Sequence, residues 1–280
     1  MFEHLELLLI GDPIEIEEFS YYLNDRFSDL IWHELNAPVT EKLKKVFDYQ
    51  YFTSERNNSW DAYRLAEKLG VSSCPYCNKQ YTHTTFNSSD TKRKKRIIRP
   101  DFDHFLDKAN HPFLALSFYN LVPSCQICNS RMKGSARFSV KTHLHPYLAG
   151  FGDLVRFRLK VLDVSFFHGN LLAGKIELQE SSFKTKAEAD LIAKARNNIM
   201  DFKLEHVYQE HRDVVFELIH KSFLYPRSYL ESLSKISDPP IFRTNEDLLR
   251  FITGNFVGEQ ELLHRPLSKL TRDVVFQFGL

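Results

Sequence analysis

Apolar residues recur at helical spacing in the first part of the chain. Ile16, Phe19, Leu23, Phe27, Leu30 and Ile31 repeat every three or four positions and share one helix face. Asp12-Pro13 supplies an N-cap and a first helical residue, with Glu15 three past the cap. A second helix is expected over 40–52, with Leu43, Val46 and Phe47 inward, and a third over 59–69, stopped by Gly70. From 71 to 146 the periodicity breaks into short β-like pieces rich in Pro, Asn and Cys. Residues 154–179 alternate, with Val155, Phe157, Leu159 and Val161 on one side, which predicts strands. Helical spacing returns after 184. Ala189, Ile192, Ala195, Ile199 and Phe202 fit one face, and Val207, Val214, Val215, Leu218 and Ile219 another. Shorter helices are expected over 228–236, 245–254 and 267–277, with a break at Asp238-Pro239-Pro240. The pattern predicts an α+β chain in three regions: helical over 1–70, irregular over 71–150, and strands then helices over 151–280.

Composition narrows the class. The chain has 280 residues, 43% of them hydrophobic and 26% charged, with 24 Phe and 12 Tyr to fill a core, which excludes wholesale disorder. No apolar run reaches the roughly 18–20 residues of a membrane span. The start, MFEHLELLLIGD, is acidic and unlike a secretory signal, so a cytoplasmic location is expected. Net charge is only +1, but it is unevenly placed: 1–40 holds nine acids against one base, and 91–143 eleven bases against three acids. A basic middle attracts polyanions even in a neutral chain. The run Lys92, Arg93, Lys94, Lys95 and Arg96 is either a substrate contact or a solvated basic loop.

The cysteines are Cys74-Pro-Tyr-Cys77 and Cys125-Gln-Ile-Cys128, with 47 residues between the pairs and no other cysteine in the chain. Two residues between thiolates let both face one ion, and two such knuckles complete a tetrahedron suited to zinc. Redox pairs or unconnected thiols are the other readings, but neither pair has the βαβ context of a thioredoxin-type motif. Four thiolates leave no open coordination position, so this zinc is expected to be structural.

Between and around the knuckles stand Asp103-His104, Asn120 and Asn129. Phosphodiester cleavage needs a water nucleophile, a base and a cation on the leaving oxygen. A neutral imidazole serves as base near pH 7. A carboxylate and an amide oxygen, with waters and phosphate oxygens, suit Mg²⁺ or Mn²⁺. Each residue alone is a weak signal. Their placement together, Asp-His inside the cysteine-closed loop and Asn129 directly after its last cysteine, is a stronger one.

The stretch 72–148 resembles a zinc-bound HNH endonuclease of the ββα-metal type, on CPYCNKQY, RPDFDHFLDK, FYNLVPSCQICNSRMKG and HPY. The resemblance implies an HNH nuclease core over 71–150, flanked by mainly helical regions. It implies His104 as general base, Asp103 and Asn129 as ligands of the catalytic Mg²⁺ or Mn²⁺, and Asn120 as a brace for the loop. Asn129 stands where many members carry His. CPYCN, the DHF-x-x-K segment, NLVPSC-x-x-CN and the later HPY together resemble the HNH subunit of Septu-type anti-phage systems, including retron-associated forms, and the late RPLSKL resembles the ending of those proteins. That likeness implies an ATPase partner, a defence role and, for the retron forms, a reverse transcriptase and its non-coding DNA.

Lys108 and Lys133 flank the proposed site and would either touch phosphates or be solvated lysines. His143 and His145 form H-x-H, read as loop histidines rather than a second metal site because no nearby acids complete a ligand set. The Phe-rich stretch 102–118 reads as core. The expected function is metal-dependent endonuclease cleavage of nucleic acid. DNA is the favoured substrate and RNA stays open, because the motif addresses a phosphodiester rather than a sugar. The alternative is a non-catalytic zinc-stapled module that binds nucleic acid or protein.

Overall fold

The computed structural model describes residues 4–31, 37–54, 60–87, 95–183, 185–233 and 241–279. The side chains of Leu30, Ile31 and Lys95, all of Lys92, Arg93 and Lys94, and the Asp238-Pro239-Pro240 break lie outside them. The architecture is mixed α+β, mostly helical, with three small antiparallel two-stranded sheets. No helix among the described residues is long and apolar enough to cross a membrane. The chain divides into two compact units, residues 1–71 with 82–150, and residues 72–81 with 151–280. The helical N-terminal region and most of the central region thus form one unit, and the segment carrying the first cysteine pair groups with the C-terminal region.

In the first unit, α1 (Leu5–Ile10) precedes α2 (Pro13–Ile31). Asp12 caps α2 by accepting from the Ile14 and Glu15 amides at 2.8 and 2.9 Å, and Glu15 accepts back from the Asp12 amide at 2.9 Å. Ile16 and Leu23 are buried, as their spacing predicts. The helix expected over 40–52 is two: α3 (Ala37–Val46) and α4 (Tyr49–Thr53). Asp48 accounts for the break, because its carboxylate accepts from the Tyr51 amide at 2.8 Å and starts a new helix. Val46, expected inward, is exposed, while Leu43 and Phe47 are buried. Helix α5 (Ala62–Leu69) starts at the Asp61 cap and ends at Gly70, whose φ of 60° is left-handed.

Strands β1 (Thr85–Asn87) and β2 (Lys95–Ile98) pair antiparallel, as do β3 (Asp101–His104) and β4 (Leu121–Ser124). His104 stands opposite Leu121 and Asp103 opposite Val122. A π-helix over Ile127–Lys133 follows β4. The core behind β3 and β4 packs Phe102 and Leu121 against Phe52, Ala62, Leu65 and Ala66. Helices α4 and α5 therefore hold the strand that carries Asp103 and His104.

In the second unit, β5 (Val155–Val161) and β6 (Gly174–Glu180) pair over seven residues. Val155, Phe157 and Leu159 point inward, whereas Val161 at the strand end is partly exposed. A capping box at Thr185 and Glu188 opens α6 (Lys186–Asp201), followed by α7 (Leu204–Val207) and α8 (Arg212–Leu224). Beyond them lie α9 (Arg227–Leu233), α10 (Asn245–Thr253) and α11 (Ser268–Phe278). Helix α11 packs against α8 and β5. It carries a buried Lys269–Asp273 pair, and Asp273 also accepts from the Phe157 amide at 2.8 Å.

Candidate functional site

The one group of metal-ligating side chains among the described residues is the cysteine set. Cys74, Cys77, Cys125 and Cys128 are buried, and their sulfur atoms all lie within 4.8 Å of one another. A tetrahedral zinc with Zn–S bonds of about 2.3 Å needs sulfurs at comparable spacing. The Lys79 amide donates to Cys77 Sγ at 3.4 Å and the Cys128 amide to Cys125 Sγ at 3.4 Å, which favours thiolates. This is a four-cysteine site suited to structural zinc.

The first knuckle is anchored by Asn78, the residue after Cys77. Its φ of 48° is left-handed, which Asn tolerates. The Asn78 amide group donates to Ser73 Oγ at 2.9 Å and to the Leu262 carbonyl at 2.7 Å, and its Oδ1 accepts from the Lys269 amide at 3.0 Å. The RPLSKL segment, 265–270, thus delivers the start of α11 to the knuckle. Tyr208 Oη donates to the Cys77 carbonyl at 2.6 Å, and Tyr76 stacks on Phe202 at 4.5 Å.

Asp103, His104, Asn129 and Lys133 line a cleft of about 620 Å³ in the first unit, together with Tyr49, Arg99, Asp107, Lys108 and Arg137. His104 is only 8% exposed. Its Nε2 lies 3.0 Å from the Ala115 carbonyl. A carbonyl oxygen only accepts, so Nε2 carries the hydrogen, and the neutral ring keeps Nδ1 as its basic nitrogen. Burial lowers the His104 pKa to about 4, against the opposing effect of the Ala115 bond. The Tyr49 ring meets the imidazole edge-on at 4.5 Å, and burial raises the Tyr49 pKa to about 12.

Asn120 is fully buried and holds the loop after β3. Its Oδ1 accepts from the Leu106 amide at 2.7 Å, and its Nδ2 donates to the Leu106 and Leu114 carbonyls at 3.0 and 3.1 Å. Those bonds fix the segment that brings Ala115 to His104. Asn129 sits on the π-helix, half-buried, and among the described residues its side-chain amide makes no hydrogen bond.

Lys133 is neither solvated nor extended toward a substrate phosphate. It is 4% exposed, with Nζ 2.9 Å from each Asp103 carboxylate oxygen and 3.1 Å from the Phe105 carbonyl. It also donates to the His104 carbonyl. Burial lowers its pKa, against the attraction of Asp103. Lys108 is exposed, with its ammonium 4.8 Å from the Tyr49 ring centroid. Arg96 pairs with the buried Asp61 cap and lies over Tyr63, so it braces β2 against α5. His143 and His145 are buried rather than on a loop surface: His143 stacks on Phe138 at 3.8 Å and His145 lies on Phe105 at 4.1 Å.

Two oxygen-bearing side chains of the cleft are candidates to hold a divalent cation. Asp103 and Asn129 supply two hard oxygens to one cleft, and Mg²⁺ or Mn²⁺ commonly takes one or two protein oxygens and completes its shell with water and phosphate. Both Asp103 oxygens already accept from Lys133, although each retains a second lone pair. A divalent cation at these two side chains would share Asp103 with Lys133.

Sequence reasoning missed Tyr49, Arg99 and Arg137 in the cleft, and Asn78 and Tyr208 at the knuckle. Only Asn78 had a local signal, its place directly after a knuckle cysteine. No protein-family model, no curated protein and no solved structure matches the chain.

Proposed function

We propose that the chain is a metal-dependent endonuclease of HNH type that hydrolyses phosphodiester bonds, with DNA the favoured substrate. One observation carries the reading. A neutral imidazole, oriented through Nε2, lines the same open cleft as a carboxylate and a half-buried amide that makes no hydrogen bond among the described residues. A strand pair followed by a helical turn supports it, because Asp103 and His104 lie on β3, Asn120 precedes β4 and Asn129 follows on the helix. In this reading His104 Nδ1 takes a proton from water as the oxygen attacks phosphorus. A phosphate anion in the cleft favours the imidazolium and raises the basicity that burial lowers. Asn120 keeps the Ala115 carbonyl in place to hold the ring. Asp103 and Asn129 hold the divalent cation, whose chemistry is to stabilise the leaving oxyanion. Arg99, Lys108 and Arg137 supply positive charge along the cleft for the flanking phosphates. The ATPase partner and the anti-phage role belong to the same proposal and rest on the motif resemblance alone.

The test is nicking of supercoiled plasmid in Mg²⁺ by wild type and His104→Ala, with melting temperature and zinc content measured alongside. A lost general base lowers the rate by about a hundred- to ten-thousand-fold. Folded His104→Ala that cuts within a few-fold of wild type overturns the mechanism. Zinc-loaded wild type that binds DNA and never cuts it, with or without an ATPase, favours a binding module instead.

A further inference from the structure

The Lys133 ammonium sits among four oxygens, two from Asp103 and the carbonyls of His104 and Phe105. It is buried, it comes from the π-helix that also carries Asn129, and it meets a carboxylate that lines the cleft. An oxygen cage of this kind is what a metal cation would otherwise select. We propose that Lys133 is a resident counter-cation of Asp103 that the divalent cation displaces, so that Lys133 sets the metal concentration at which the site loads. The inference rests on the nuclease reading and adds a regulation of its cation site.

The physical argument is charge balance. Asp103 is 4% exposed, and a buried carboxylate needs a partner. Lys133 meets that need before any metal arrives. A divalent cation at Asp103 would approach a like-charged ammonium that already sits on both carboxylate oxygens. The two cations therefore oppose each other at one carboxylate. Repulsion between the two cations favours retreat of Nζ as the metal loads, and Lys133 lines the cleft into which it can move. At low free Mg²⁺ the ammonium keeps the site folded and unloaded. Removing the ammonium while keeping Asp103 takes a competing positive charge from both carboxylate oxygens, so a divalent cation should bind there more tightly.

The test uses the zinc-loaded full chain without nucleic acid. Mn²⁺ binding is read from the loss of the free-ion paramagnetic resonance signal in wild type, Lys133→Met, Lys133→Gln and Asp103→Asn. Both Lys133 variants should bind Mn²⁺ at least tenfold more tightly than wild type, and Asp103→Asn should lose the binding. Unchanged or weaker Mn²⁺ binding in folded Lys133 variants, with the Asp103→Asn loss intact, overturns the counter-cation role and leaves the nuclease reading standing. Binding indifferent to Asp103→Asn removes the cation site and both readings with it.

A second measurement needs no variant. Amine acylation of wild type, read by mass spectrometry, should mark Lys133 several-fold faster at saturating Mn²⁺. The buried Lys269 of the Lys269–Asp273 pair is the internal control, and its rate should not change. Equal Lys133 acylation with and without Mn²⁺, under conditions where Mn²⁺ is bound, overturns the displacement.

Discussion

His145 and His104 are both held neutral by burial, but only His104 lines the cleft. His145 accepts from the Tyr147 amide at 3.3 Å and packs on Phe105. Burial lowers its pKa to about 3, with the Lys133 charge adding to the shift. Unfolded, it titrates near the ordinary 6.5. Between those values the unfolded chain takes up a proton that the folded chain refuses, so the folded state is fully favoured above about pH 6.5 and loses stability as pH falls toward 3. At pH 5 the loss from this residue is on the order of 2 kcal/mol. His145→Gln should lower stability at pH 7 through lost packing, yet flatten the decline between pH 7 and pH 5. Urea midpoints of both proteins at several pH values measure this. Parallel declines would assign the acid sensitivity to other groups.

At the scale of elements, α11 reaches the first cysteine knuckle through one side chain. Asn78 joins Ser73, the Leu262 carbonyl and the Lys269 amide, and its backbone carbonyl accepts from the Leu267 amide at 2.6 Å. Asn78→Ala removes three part-buried side-chain bonds, and it puts a less tolerant residue at a positive φ. A loss of about 2–4 kcal/mol is expected. The check is the urea midpoint with zinc content measured in parallel, and a change under about 0.5 kcal/mol would mean that RPLSKL docks without this residue. Such a link joins residues almost two hundred positions apart, which explains why the sequence shows the motif but not its partner. What was legible was local. The Asp12 and Glu15 cap, the Gly70 stop, the β5 alternation and the C-x2-C spacings each carry their cause within a few residues. What was not legible depends on distant groups or competing local ones. Asp48 splits the 40–52 helix because a carboxylate there outcompetes continued helix. Lys133 reads as a surface lysine until the fold brings it to Asp103. Asn120 was legible only as part of a motif, and its bonds to Leu106 and Leu114 supply the physical reason for it.

For the whole molecule, the four-cysteine cluster ties together segments that are far apart in the sequence. With 47 residues between Cys77 and Cys125, bringing the two pairs to one point closes a long loop at an entropic cost. Without an ion, four buried sulfurs within 4.8 Å of one another would have to stay protonated or repel as thiolates. Bound zinc removes that repulsion, and in zinc peptides its binding supplies roughly 10–16 kcal/mol toward folding at pH 7. One zinc per chain is therefore expected by metal analysis. Stripping it with a strong chelator should abolish the cooperative melting transition, and under the proposed nuclease reading cleavage should return with added Zn²⁺ but not with Mg²⁺ alone. Cys125→Ser should behave like the stripped protein, because three thiolates and a hydroxyl hold zinc less tightly than four thiolates. Under that reading the two metals separate: Mg²⁺ titration of zinc-loaded protein should change the cleavage rate without moving the melting temperature by more than a few degrees, whereas zinc loss should remove both. A zinc-free chain that melts cooperatively at the same temperature and cuts at the same rate would show that the cysteine cluster does not depend on the ion.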